Sequence, residues 1–600
     1  MSSSVNPFQK MFSKIISILN RPILREVLLI LMLLIVNNNL PNKRLLTHDQ
    51  LYISSDGRGY YEYLPATFIY KDLHFNYLDE LETDQYSKEY NDNVFPVQPE
   101  IGHRLDKYFV GTAVLQSPFF AVAHVIASSE GSIHPADGYS LPYQKSIFCA
   151  AVFYLFLGLV GIHKLLKTYS VSGTWIFILQ VGLIFATPLL NYTIFESAFS
   201  HVYSFFLITW FLYYLRAYFT KGLTRYLVVS IVVFGAIATV RPINILILLF
   251  APLLTDSLKA FYLLVKQMIL KHYKALLLGC VFAAVIVSLQ LLTSYAQTGN
   301  PLSYNYGEEG FNFLNPHIFE FLFSYQKGFF LWTPYWFFIF LFGIIAGLLQ
   351  RKTFVIAYSL FAFIALVYVL SSWHMWTYGA SIGARPMVDF YAAFILIFLP
   401  VLQSRNRIAQ WIFIPITIAT SVLMQIQTYQ YQLAIIHWDE MNKEKYWKVF
   451  LLTDKKYGWY LWRDEPPVGK ALYRTIVVEN QHFEPTVEHD IYFSPTVKID
   501  SLSTQATYGQ LFLEFDRELQ FEYLNLYLLD ENKQTVDSMI YVNLFHYHQK
   551  TNNSRYRFKL NEENKSTYQH MRFSIHNAEE QLQLKKAVFS IYEAPSNEGK

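Results

Sequence analysis

GFFLWTPYWFFIFLFGIIAGLLQRKTFVIAYSLFAFIALVYVLSSW, residues 328–373, decides how the chain must be read. Its two runs, 328–349 and 353–373, carry no charged side chain, and only Gln350-Arg351-Lys352 separates them. A hydrocarbon core of ~30 Å is crossed by about 20 apolar residues in a helix. The stretch therefore predicts a helical hairpin through a bilayer, with its basic turn at one face and Lys327 and His374 at the other. Further charge-free runs at 176–195, 275–292 and 408–428 extend the pattern, and the chain as a whole is 53% hydrophobic and only 16% charged. A soluble enzyme is excluded.

Working outward, eleven segments are predicted, at about 23–41, 143–163, 174–194, 198–215, 226–240, 242–255, 275–293, 328–349, 353–373, 388–403 and 408–428. The first follows Lys10, Lys14, Arg21 and Arg25 and lacks a small-residue cleavage site, so it reads as an uncleaved helix with a cytoplasmic N-terminus. Alternation then gathers Lys and Arg on the inside: Lys164, Lys167, Arg216, Lys221, Arg225, Lys259, Lys266, Lys271, Lys274, Arg351, Lys352, Arg405 and Arg407. The short outer loops keep only Lys327 and Arg385, an asymmetry that orients the chain by the positive-inside rule. Segments 226–240 and 242–255 flank Arg241-Pro242 and read as two half-length helices meeting at the outer leaflet, where Arg241 reaches water. A net charge of +3 does not suggest a nucleic-acid partner, and Cys149 and Cys280, both in apolar runs, give no disulfide framework.

The chemistry is then expected outside, in a loop from 42 to 142, a loop from 296 to 327 and everything after 429. Within the first loop, 108–128 is an apolar stretch expected to lie along the membrane surface. Residues 431–474, with Trp438, Trp447, Trp459 and Trp462, read as an interfacial aromatic linker after a membrane domain of 1–430. From 475 to 600 the pattern changes to alternating aromatic and β-branched runs (510–515, 521–529, 538–545, 556–560, 571–576 and 587–592), which predict an antiparallel β-sandwich domain outside the membrane.

Three stretches place polar groups at the outer surface. SDGRGYYEYLP, 55–65, holds Asp56, Arg58, Tyr60 and Tyr61. The plainer reading of Asp56 is a helix N-cap; the sharper one is a general base for a hydroxyl beside a lipid headgroup. ESAFSH, 196–201, sets Glu196 five residues before His201, a second wall for such a site. WHMWTYGASIGARP, 373–386, ends on Arg385, whose planar guanidinium matches phosphate oxygens and whose glycines Gly379 and Gly383 bring backbone N–H groups close to an anion. His103, Arg104, Arg241 and Lys327 complete the outer positive groups. The loop bearing Glu308 and Glu309 reads as an exposed segment able to close over a substrate, and those glutamates are not read as metal ligands.

In the order of these features the chain resembles the GT-C superfamily of integral-membrane glycosyltransferases, which includes protein O-mannosyltransferases and lipid A aminoarabinose transferases. SDGRGYYEYLP, ESAFSHVYSFF and WHMWTYGASIGARPMVD are most similar to an uncharacterised bacterial branch of it. The resemblance covers about 20–430 and implies an inverting hexosyl- or pentosyltransferase of the inner membrane. Such an enzyme moves a sugar from a polyprenyl phosphate or diphosphate to a glycan, lipid or protein acceptor. It places the base at Asp56, with Arg385 and either Arg241 or Arg104 on the leaving phosphate. Asp56-Gly57 departs from the paired acidic motif of the mannosyltransferases, so protein is not supported as acceptor, and the absence of Asp-x-Asp lowers the case for a required divalent metal, which is possible but not supported. Two other readings stand beside this one, a flippase or transporter of lipid-linked sugars and a non-catalytic envelope assembly protein.

Overall fold

The computed structural model describes residues 23–39, 52–79, 81, 95, 97–98, 101–307, 309–404 and 408–454, and in the C-terminal part 471–483, 491–499, 506–519, 523–542, 551–559, 568–576 and 582–593. Lys10, Lys14, Arg21, Glu308, Arg405, Arg407, Trp459 and Trp462 lie outside the described residues. The chain forms two compact units, Met1–Thr453 and Asp454–Lys600.

The first unit is helical. In chain order its main helices are α1 (Leu24–Asn39), α2 (Asp56–Pro65), α3 (Gly111–Ala127), α4 (Leu141–Lys167), α5 (Gly173–Phe185), α6 (His201–Lys221), α7 (Thr224–Val240), α8 (Leu258–Lys271), α9 (Tyr273–Thr298), α10 (Pro334–Leu349), α11 (Thr353–Ser371) and α12 (Ile408–Gln432). Among the described residues, α4, α9, α11 and α12 are long and apolar enough to cross a membrane. A fifth span results if the 3-10 helix Pro242–Leu254 and α8, bent by 111°, count together. Of the other predicted segments, α6 is unbroken and 21 residues long but less apolar, and the rest are shorter or interrupted, with proline accounting for much of it. Run 174–194 breaks before Pro188, run 328–349 breaks at Thr333 before Pro334, and run 388–403 divides into Arg385–Phe390, Tyr391–Ile397 and Leu399–Leu402. Proline lacks the N–H that continues a helix but suits the first turn of the next one.

Burial shows which helices meet lipid. In α4, 56% of the apolar window is buried within the protein, whereas in α9 only 11% is. Leu277, Val281, Phe282, Val285 and Leu292 of α9 are about half exposed or more, which a membrane protein can sustain only where acyl chains cover them. Segments 226–240 and 242–255 form two helices as read, but the second is wound as a 3-10 helix. At ~2.0 Å per residue its thirteen residues reach about 26 Å, further than the same length of α-helix. Arg241 marks the break, in extended backbone. The surface stretch 108–128 is helical only from Gly111, which leaves residues 108–110 outside α3.

The second unit contains two antiparallel sheets. Its strands are β1 (Ala471–Phe483), β2 (Ile491–Phe493), β3 (Val497–Lys498), β4 (Ala506–Leu519), β5 (Tyr523–Leu529), β6 (Thr535–Val542), β7 (Thr551–Lys559), β8 (His570–His576) and β9 (Leu582–Glu593). One sheet runs β2-β8-β5-β6 with β3 also on β8, and the other β1-β9-β4-β7. Leu511 and Leu513, Leu526 and Leu528, and Met571 and Phe573 are buried at a spacing of two, as for a sheet with one face inward, whereas β9 is buried continuously from Ala587 to Ile591.

Candidate functional site

Helix α2 opens at Asp56, after Ser55 in a positive-φ conformation (φ 52°) that a non-glycine residue adopts only at a cost of order 1–3 kcal/mol. Asp56 is thus the first helical residue rather than the cap, and the partial positive charge of a helix N-terminus favours its carboxylate. Asp56 and Tyr60, four residues apart, lie on one face of α2 and line a cavity of about 790 Å³. Two glycines allow the close packing. A Cβ on Gly57 would sit 2.8 Å from that of Ala198, and one on Gly59 would sit 2.1 Å from the Tyr108 ring.

The opposite wall brings Arg241, from the break between α7 and the 3-10 helix, and Arg385, from the start of a single 3-10 turn. Arg385 Nη2 donates to Asp56 Oδ2 at 2.6 Å, and its guanidinium lies over the Phe199 ring. Asp389, one turn after Arg385 and fully buried, accepts from Arg241 Nη1 at 3.0 Å through Oδ2 and meets His201 Nδ1 at 2.7 Å through Oδ1. The turn Arg385–Phe390 therefore carries one cation of the cavity and holds the other.

Tyr108 completes the acidic side: its ring packs on Tyr60 at 4.7 Å between centroids and its hydroxyl lies near the Asp56 carboxylate, which it favours in the ionised form. Residues 106–110 are fixed to α9, where Gln297 accepts from the Asp106 N–H and Gln290 from the Val110 N–H. Burial pushes the Asp56 carboxyl up, but the Arg385 charge, with the Tyr108 hydrogen bond, outweighs it and holds the group below the usual carboxylate range. Burial and the neighbouring Asp56 charge push the Tyr108 phenol well up, so it stays a donor.

Elsewhere on the lining, Lys107 Nζ donates to Glu309 Oε1 at 2.6 Å, and Glu309 Oε2 lies 3.6 Å from His374 Nε2. These residues come from three separate loops. The last two are joined by backbone bonds, Asn312 N–H to the Ser372 carbonyl and His374 N–H to the Gly310 carbonyl. The rest of the lining is largely apolar, with Phe109, Val240, Ile243, Leu246 and Leu291 at one side and Tyr304, Tyr306 and Trp373 at the other.

Of the residues singled out in the sequence, Asp56, Tyr60, Arg241 and Arg385 reach this cavity, and His201 stands behind it on Asp389. Arg58, Tyr61, His103, Arg104, Glu196 and Lys327 do not line it. Arg58 and Tyr61 project from the other face of α2: Arg58 is fully buried, pairs with Glu62 at 3.2 Å and packs on the Tyr139 and Phe95 rings, and the Tyr61 hydroxyl binds the Gly138 carbonyl. Two and five residues from Asp56, they are rotated about 200° and 140° away from it in an ideal helix. His103 stacks on His74 at 4.0 Å in a separate cleft, and Arg104 pairs with Asp79 and the Phe95 carbonyl. Glu196 is buried beside Tyr192. Lys327 is buried with its amine on the Ser381 and Trp438 carbonyls, and loss of solvent lowers its pKa to about 7. It supports the 379–385 loop from behind. Gly379 borders the cavity, whereas Gly383 turns the chain against Trp332 at φ +65°.

Sequence reading missed Asp389, Tyr108 and the Lys107-Glu309-His374 cluster as site residues. Asp389 had a signal, an acid opening an apolar run four residues after an arginine. Tyr108 was taken into the surface helix, and Glu309 only into a mobile-looking loop. Among the described residues no group of three or more His, Cys, Asp or Glu side chains is placed to hold a metal ion. No family model matches the chain, and no curated protein is significantly similar to it.

Proposed function

We propose that the protein is a GT-C-type inverting glycosyltransferase that moves a sugar from a polyprenyl-phosphate carrier to an acceptor hydroxyl at the outer face of the cytoplasmic membrane. In this reading the eleven segments form a GT-C-like membrane domain with a cytoplasmic N-terminus, the β-sheet unit is extracytoplasmic, and the products belong to cell-envelope glycan or glycolipid. One observation carries the proposal: a carboxylate and two guanidiniums from distant parts of the chain share one cavity whose lining, apart from the Lys107-Glu309-His374 cluster, is largely apolar. That combination suits a substrate with an anionic, sugar-bearing head and a hydrocarbon tail.

Asp56 takes the proton of the acceptor hydroxyl as its oxygen attacks the anomeric carbon, and the bond from that carbon to the phosphate oxygen breaks. The phosphate leaves as an anion beside Arg385, with Arg241 as the second cation. At rest Asp56 is a weak base, because Arg385 holds its proton affinity down. An incoming phosphate competes for that guanidinium. As Arg385 turns toward it, the largest of the influences that lower Asp56 is lost and burial, opposed by Tyr108 and Lys107, raises its basicity, so donor binding and base activation are linked through one side chain.

The test uses purified protein and a panel of radiolabelled polyprenyl-phosphate sugars. Release of polyprenyl phosphate, abolished in Asp56→Asn at unchanged melting temperature, supports the reading. Translocation of the lipid in proteoliposomes without bond cleavage identifies a transporter instead.

A further inference from the structure

Helix α8 connects two walls of the cavity at the end remote from it. The 3-10 helix Pro242–Leu254 starts beside Arg241 at the cavity and runs away to α8, and α9 returns from α8 to the cavity at Gln290, Leu291 and Ser294. Both ends of α8 are tied to the C-terminal part of α6: Arg216 donates to the Leu254 carbonyl, and the Tyr218 hydroxyl lies 2.9 Å from His272 Nδ1. Between these ties α8 turns by 111° from the preceding helix, and none of its fourteen residues is buried.

Its outward face is neither a soluble surface nor a plain lipid-facing one. Leu258, Tyr262, Ile269 and Leu270 are each more than half exposed, and Lys259 and Lys266, seven residues apart, stand among them on the same stripe. Water is a poor neighbour for those four side chains, and acyl chains alone are a poor neighbour for two ammonium groups. The headgroup boundary satisfies both, with the apolar groups in the acyl region and the lysine stems reaching up to phosphate. Charge settles which lipids. From 257 to 298 the chain has no Asp or Glu, while Lys259, Lys266, Lys271 and Lys274 are all there.

We propose that α8 is a binding site for the phosphate headgroups of anionic lipids, with Lys259 and Lys266 as its main ligands, and that it anchors the far ends of two cavity walls in the leaflet opposite the cavity. The inference does not depend on the glycosyltransferase reading, because its test reads lipid and not transfer.

Full-length protein in detergent is titrated with phosphatidylglycerol or phosphatidylcholine, and bound lipid is counted by native mass spectrometry. Phosphatidylglycerol is expected to be retained in preference. Each lysine near an anionic surface contributes roughly a fivefold preference, so Lys259→Gln/Lys266→Gln should lower it by about 25-fold, and Lys259→Arg/Lys266→Arg should keep it. The melting temperature of each variant in lipid-free detergent should match the parent, which separates lost binding from misfolding. Added phosphatidylglycerol should raise the melting temperature of the parent and not of the Gln variant. Equal retention of the two lipids, unchanged retention in the Gln variant, or a second copy or another protein on this face in place of lipid overturns the proposal.

Discussion

Two arginine–carboxylate pairs meet on α2, one on each face. Asp56 reaches across the cavity to Arg385, 329 residues away in sequence, at 2.6 Å, and 26% of its side chain remains exposed there. Arg58 and Glu62 pair within the same helix at 3.2 Å with neither side chain exposed, and Glu62 also accepts from the Tyr77 and Tyr139 hydroxyls. The groups are the same chemically and begin two residues apart. What differs is access and reach. The inner pair is sealed by aromatic rings, so neither member can give up its partner for a ligand; the outer pair lines an open cavity and joins two elements that can separate.

The comparison breaks first at Asp56. Asp56→Asn should lower the rate of sugar release by about 10²–10⁴-fold, the range for loss of a general base, with no change in melting temperature. Arg385→Gln should cost about 10²–10³-fold, as for loss of one charge-stabilising donor, and it should also move the pH profile. With Arg385 present Asp56 is held below the usual carboxylate range, so it stays ionised well into acid. Without it burial dominates, the pKa rises, and the acidic limb of the residual activity should shift upward. An unmoved limb would separate Arg385 from the titrating group.

On the other face, Arg58→Met should leave Glu62 as an uncompensated buried charge and destabilise the protein by about 3–5 kcal/mol. A thermal or chemical unfolding curve should show this, while activity per folded molecule stays near the parent value. A rate loss without a stability loss would reverse the roles assigned to the two faces. The smallest effect is expected at Asp389→Asn, which keeps an acceptor for His201 and Arg241 but removes the charge. Loss of a charge-assisted hydrogen bond of this kind should weaken donor binding by about tenfold, seen as a higher KM with kcat little altered.

Membrane character was legible from hydropathy because lipid selects on composition summed over a length, which the chain carries locally. The alternating pattern likewise located the C-terminal strands 510–515 and 571–576 within β4 and β8. Asp56, Tyr60, Arg241 and Arg385, which line the cavity, were legible as polar groups in runs with few of them. Arg58, Arg104 and Lys327 had the same signature but proved to be enclosed by Glu62, by Asp79, and by the Ser381 and Trp438 carbonyls. Which polar groups stand in apolar surroundings follows from the sequence; the direction each side chain faces does not.

By itself, then, the sequence determined where apolar segments and strands form and which few charged groups gather beside them, since these depend on neighbours within a turn or a run. The tertiary structure alone decided that Arg385 faces Asp56 and that buried Asp389 holds Arg241. Those pairings depend on which helix faces come together across more than a hundred residues of chain, and a charge in a low-dielectric setting is governed by the partner it meets rather than by its residue type.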